Sequence, residues 1–153
     1  MQLDVSRHVN ASPDAVWSVL ADIPNAPRTL SGVLSVEILN AVPYEPGLRW
    51  RETRKMFGMK ATEEMMVTVA EPPHTTTIVA ENGGTEYTTV FTVTPDAEGG
   101  STLRMTFAAE TAHAPAAARV VTALFGGIAK NASRKAIEQD LADIAAEAER
   151  RAG

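Results

Sequence analysis

Apolar residues fall on alternate positions at the start of the chain, at Leu3, Val5 and Val9 with Arg7 on the same face, and this period of two predicts a strand with one buried side. Ser12-Pro13-Asp14 then supplies an N-cap, a proline at the first helical position and an acid in the first turn, each of which satisfies or complements the free amides of a helix start. Val16, Val19, Leu20 and Ile23 follow at helical spacing, and Pro24 stops the helix after about three turns by removing a backbone donor. Pro27 to Leu30, with Gly32 behind, reads as a second, very short helix that closes one end of a sheet.

From Val33 to Ala112 the period returns to two and turn signals recur at short intervals, the pattern of an antiparallel meander. Six strands fit, at about 33–42, 48–57, 60–71, 75–81, 85–94 and 101–112. The joints at Pro43 to Gly47, Gly58, Pro72-Pro73, Gly83-Gly84 and Asp96 to Gly100 provide the backbone angles that tight connections require. After Pro115 the period is helical nearly to the end, with Val120, Leu124 and Ile128 on one stripe and Ile137, Leu141, Ile144 and Ala148 continuing it. Roughly 36 residues of helix would reach about 54 Å, so the expectation is a bend at Gly126-Gly127 and a frayed, charged end at Glu147 to Arg151. Two glycines in a helix cost about 2 kcal/mol relative to alanines, which implies that closeness or a bend is needed there. The fold class is therefore α+β: a seven-stranded curved antiparallel sheet wrapped around a long C-terminal helix, with two short helices between the first and second strands.

Composition narrows the function classes. A chain of 153 residues, 44% hydrophobic and 22% charged, suits one globular domain over its whole length. No cysteine is present, which removes disulfides, thiolate metal sites and a cysteine nucleophile from consideration and fits a reducing, cytoplasmic setting. Met1 to Asn10 shows no leader pattern, and the longest apolar stretch, Val120 to Ala129, falls well short of the roughly 20 residues that span a bilayer. Fourteen basic against 19 acidic residues, a net charge of -5 without a basic cluster, argue against a nucleic-acid partner.

Three segments carry a family resemblance. Val5 to Trp17, "VSRHVNASPDAVW", Arg49 to Glu64, "RWRETRKMFGMKATEE", and the glycine-marked pair "ENGGTEYTTVFTVTP" together resemble the START-like superfamily of polyketide cyclases/dehydrases and lipid-transport proteins, which shares the fold of the birch pollen allergen. The second segment is similar to a bacterial subgroup. The resemblance implies the helix-grip fold and a range of activities, from lipid, sterol and quinone binding to aromatic cyclisation, hydrolysis and chaperone activation.

Strand parity predicts the pocket wall, because the more apolar face of the sheet should meet the long helix. The inward sets are Leu34, Val36 and Ile38; Met65, Val67 and Val69; Ile78 and Ala80; Tyr87, Phe91 and Val93; and Leu103, Met105 and Phe107. Few of these are large aromatics, so the basin they outline has room for a ligand, and the flexible thioethers of Met56, Met65 and Met105 suit an adaptable surface. An ordinary filled core is the alternative. The candidate ligand-binding residues are Trp50, Met56, Met65, Val67, Ile78, Tyr87, Phe91, Met105 and Phe107 on the sheet, with Leu124 and Ile128 on the helix.

On the strand 48–57, Trp50 and Met56 share a face, which turns Glu52 and Arg54 inward too. A turn centred on Gly58-Met59 would set Met56 opposite Ala61, Arg54 opposite Glu63 and Glu52 opposite Met65. Arg54 and Glu63 would pair, leaving Glu52 adjacent and raised by desolvation unless Arg54 serves it as well. Glu52, Arg54 and Glu63 are thus the candidate catalytic residues, for general acid–base work on a carbonyl ligand, with an ion pair at the pocket mouth as the structural alternative. His8, His74 and His113 show no metal-ligand spacing, so no metal and no cofactor are expected. The leading expectation is a carrier for a small hydrophobic ligand of lipid, polyketide-like or quinone-like character, acting as a monomer or homodimer. A cofactor-independent cyclase, dehydratase or hydrolase, and a chaperone-activator-like or toxin-like interaction module, are the alternatives.

Overall fold

A computed structural model describes residues 1–56, 58–111 and 116–153, with the backbone assignment alone at 56 and 116–129. Strand β1 (Gln2–Val9) leads into α1 (Pro13–Leu20), a 3-10 turn (Ile23–Asn25) and α2 (Ala26–Thr29). The Ser12 hydroxyl accepts the Ala15 amide, so the N-cap read from the sequence forms, and Pro13 occupies the first turn. Six strands follow: β2 (Val33–Ile38), β3 (Arg49–Met56), β4 (Met59–Glu71), β5 (Thr75–Asn82), β6 (Thr85–Pro95) and β7 (Ser101–Thr111). Helix α3 (Ala116–Ala152) completes the helix-grip arrangement.

The seven strands form one antiparallel sheet in the order β1-β7-β6-β5-β4-β3-β2. Consecutive strands are hairpin neighbours except β1, which crosses to pair with β7 and sets Leu3 opposite Phe107. The concave side holds two apolar clusters. One joins Leu3, Val9, Val93 and Leu103 of the sheet to Val16 and Leu20 of α1 and to Ile137, Leu141, Ile144 and Ala148 of α3. The other gathers Ile23, Leu48, Trp50, Val67 and Ile78, and Phe91 packs against both.

Three expectations are corrected. Strand β2 carries a bulge between Val33 and Ser35, so Val33 is buried and Leu34 is 44% exposed, while Val36 returns to the inward face opposite Glu52. A second irregularity between Val67 and Val69 flips parity again: Val69 pairs with Thr77 and is 37% exposed, and Ala70, opposite the buried Thr76, takes the inward place. The end of α3 is docked: Arg151 donates to Asp22 at 2.8 Å, to the Ser18 carbonyl at 3.1 Å and to Glu147 at 2.9 Å. Hydrogen bonds from Arg150 and Arg151 hold the Glu147 carboxyl down at about 2. The bend expected at Gly126-Gly127 lies outside the residues whose side chains are described.

Burial and exposure of two leucines test this geometry. Leu141→Ala, at a site 1% exposed between sheet and helix, is expected to lower the unfolding free energy by about 2–5 kcal/mol. Leu34→Ala should change it by less than about 0.5 kcal/mol. Urea titrations of both variants measure the difference, and equal losses would contradict the bulge.

Candidate functional site

Alternation along β3 turns Trp50, Glu52 and Arg54 toward the concave side. The ladder to β4 pairs Trp50 with Met65, Glu52 with Glu63, Arg54 with Ala61 and Met56 with Met59. The shared face of Glu52, Arg54 and Glu63 is as expected, but the register is two residues away from the expected one. The connection holds only two residues between Met56 and Met59, and Gly58 supplies a positive φ of 76°.

That shift changes the partners. Arg54 Nη1 donates to Asp140 of α3 at 3.0 Å, and Arg54 Nε lies 3.4 Å from Glu52 Oε2. The expected Arg54–Glu63 pair does not form; instead Glu63 Oε2 is buried without a hydrogen-bond partner. A Cβ at Gly32 would stand 3.1 Å from Arg54 Nη1, so glycine there lets the guanidinium lie against the α2–β2 connection. The neighbouring Ser31 donates from its amide and its hydroxyl to Asp143, both at 2.9 Å, tying the same connection to α3.

Three carboxyls thus face one guanidinium in a largely dehydrated space. Burial acts to lower Arg54, but Asp140 and Glu52 outweigh it, so its pKa is raised and the guanidinium stays charged. Burial pushes the Asp140 carboxyl up against the pull of Arg54. Glu63 is raised by burial first and then by the charge of the facing Glu52, with Arg54 opposing. Burial and the Glu63 charge also raise the Tyr87 phenol.

Next to these groups lies a cavity of about 220 Å³. Its sheet side is formed by Trp50, Met65, Ile78, Ala80, Tyr87, Thr89, Phe91, Met105 and Phe107. Ser133, Ala136, Ile137, Asp140 and Ile144 of α3 cover it, and Val19, Leu20, Ile23, Ala26 and Leu30 close one flank. The rings of Tyr87 and Phe107 stack with centroids 5.9 Å apart. Along the strands, the charged rows stand nearer the Gly58 turn than the rows of Trp50, Ile78 and Phe91, so the cavity has a polar end and an apolar body.

Of the ligand-binding candidates, Trp50, Met65, Ile78, Tyr87, Phe91, Met105 and Phe107 line this cavity. Val67 is fully buried in the cluster with Trp50 and Ile78, outside the lining. The side chains of Met56, Leu124 and Ile128 lie outside the described residues, as does His113. His8 is an exposed residue 3.1 Å from Asp96. Among the described residues no group of histidines and acids is arranged to hold a metal ion. Sequence reasoning missed Asp140, although a signal existed: it falls three residues after Ile137 and four before Ile144, on the apolar stripe of the helix. The flank contributed by the first helices was missed as well.

The raised Glu63 carboxyl gives a pH signature. A group whose pKa is higher in the folded chain stabilises fully below its unfolded value, here 4.5, and that stability is lost as pH rises through the folded value. Glu63→Gln removes the loss. The variant should match the native chain near pH 4 and exceed it in stability at neutral pH, measured by urea titration across that range; a gap that widens toward acid would contradict the assignment. Arg54→Leu strands Glu52 and Asp140 and should cost about 3 kcal/mol at neutral pH by the same method.

The family described as polyketide cyclase / dehydrase and lipid transport matches residues 1–149. Among solved structures, TTHA0849 from Thermus thermophilus is similar over 100% of both chains, with a TM-score of 0.82 at 16% identity. The Zhui aromatase/cyclase from Streptomyces sp. R1128 is similar over 99% of this chain and 94% of that one, with a TM-score of 0.82 at 17% identity. A START superfamily protein from Mycobacterium smegmatis is similar over 99% and 96%, with a TM-score of 0.74 at 14% identity. No curated protein sequence matches the chain. At such identities the structures speak for the fold, whereas the family match covers nearly every residue: the chain belongs to the polyketide cyclase / dehydrase and lipid transport family.

Proposed function

We propose that this protein binds one small, largely hydrophobic molecule of lipid-, polyketide- or quinone-like character between the sheet and α3. The observation that carries this reading is the cavity of about 220 Å³, apolar along its body and charged at one end. A site of that kind buries a ligand's rings or chain against Ile78, Phe91 and Phe107 and orients its polar end toward Arg54 and Glu63. No helix among the described residues is long and apolar enough to cross a membrane.

Native mass spectrometry of gently purified protein, followed by denaturing extraction, should detect a small molecule travelling with the chain. Ala80→Phe fills the cavity from its sheet side and should remove both that mass and the uptake of an added hydrophobic probe, while circular dichroism remains native. Undiminished probe uptake in Ala80→Phe would place binding elsewhere.

Glu63 favours a second reading, a cofactor-independent cyclase, dehydratase or hydrolase. Its raised carboxyl lines the cavity, with Oε2 lacking a hydrogen-bond partner among the described residues, and such a group can give or take a proton at a ligand carbonyl or the carbon next to it. The charged Arg54 would steady negative charge developing on the ligand oxygen. On this reading Glu63→Gln lowers turnover of a carbonyl substrate by at least 100-fold with little change in its Kd, the scale of a lost general acid or base. Retained turnover would remove Glu63 from the chemistry.

A further inference from the structure

The cavity ends part of the way along the sheet. On β6 the inward residues Tyr87, Thr89 and Phe91 line it, whereas the next one, Val93, is packed opposite Leu103 in the cluster beneath α1 and α3. On β5 Ala80 and Ile78 line it, and the next inward residue, Thr76, is fully buried outside the lining. Phe91 stands where the space stops, paired with Thr76 on one side and Met105 on the other, and it packs against both apolar clusters.

What lies behind Phe91 is held by polar bonds as well as by packing. The Thr76 hydroxyl donates to the Val69 carbonyl at 2.9 Å, so the Tyr44 hydroxyl is the donor in its 2.8 Å bond to Thr76. The Trp17 ring meets Tyr44 edge-on, with centroids 5.8 Å apart. A ligand pushed past Phe91 would have to part these buried hydroxyls and leave them unpaired, which is costly. The roof is held too, because α3 is fastened by Asp140 to Arg54 and by Arg151 to Asp22.

A closed end and a fastened roof make volume a limit on ligand size. A cavity of roughly 150 Å³ holds one benzene ring, or about 25 Å³ for each carbon. By that measure the cavity of about 220 Å³ among the described residues holds about nine carbons. Sites for drug-sized ligands run from about 300 to 1,000 Å³.

We infer that the cavity takes a compact ligand, with a buried body of about nine carbons in one or two rings or a short chain, and that Phe91 sets this limit. A long-chain lipid and a body of three or more fused rings both exceed it. This rests on the binding function proposed above and narrows its ligand to the small members of that class.

Equilibrium dialysis of the full chain against the 1-alkanols from hexanol to dodecanol, each below its solubility limit, tests it. A buried methylene tightens Kd by about fourfold, so Kd should fall steeply up to nonanol and then level, with dodecanol within about twofold of nonanol. Phe91→Ala opens the end wall and should make dodecanol at least tenfold tighter than nonanol, whereas Leu34→Ala, at an exposed position, should keep the native profile. Ala80→Val adds two methyl groups inside the space and should bring the levelling about two carbons earlier, which decides the matter if Phe91→Ala does not fold. A native Kd that keeps falling about fourfold per carbon to dodecanol would overturn the size limit and leave the cavity reading standing. A Phe91→Ala profile that levels where the native one does would overturn the assignment of the limit to Phe91. Binding of no alkanol would overturn the size limit and the cavity reading together.

Discussion

The Arg54 guanidinium sits where a sheet and a helix would otherwise meet as two apolar surfaces. A charge in that position is tolerable only with carboxylates against it, and the nearer of its two partners, Asp140, comes from α3 rather than from the sheet. Apolar faces packed on each other can slide by a fraction of a turn at little cost, whereas a guanidinium bonded at 3.0 Å cannot. The pair therefore sets where along β3 the helix lies. Gly32, which lets the guanidinium approach the α2–β2 connection, and Ser31, which bonds Asp143 one helical turn further along, depend on the same register.

A helix held in this way need not collapse onto the sheet. At its other end α3 is fixed by Arg151 against Asp22 and the Ser18 carbonyl; between the two anchors Leu141 and Ile144, and one turn before them Ile137, pack against the β1 side of the sheet. The remaining space, over Ile78, Ala80 and Met65, is roofed by the short side chains Ser133 and Ala136. The cavity is thus a product of where the helix is fastened and of how small its facing residues are. The third carboxyl, Glu63, has no share in the fastening, and its Oε2 is buried without a hydrogen-bond partner among the described residues.

The element order, the seven strands and the inward set on β3, β6 and β7 were legible because alternation and helical spacing are long-range patterns that survive local irregularities. Leu34 and Val69 were misplaced because a bulge reverses parity without changing composition: both residues are apolar on either side of it, so nothing in the pattern marks the reversal. The β3–β4 register was missed for a different reason. Parity is unchanged by a shift of two residues, so Glu52, Arg54 and Glu63 could share a face while the pairing among them remained open; only the length of the connection decides it. Asp140 stood in plain view as an acid on an apolar stripe, but the arginine that explains it lies 86 residues earlier, a proximity that periodicity does not encode.

The crossing that sets β1 beside β7 has a consequence in time. Leu3 meets Phe107 and Val9 meets Ser101, so the sheet cannot be completed until nearly the whole meander exists, and the roof comes later still with Ile137 and Leu141. Contacts of such long sequence separation are assembled slowly, because the entropy of closing the chain is lost before the contacts return it. During synthesis the hairpins from β2 to β6 can form early with the apolar side of β1 uncovered, which makes the nascent chain dependent on being shielded until its last helix emerges.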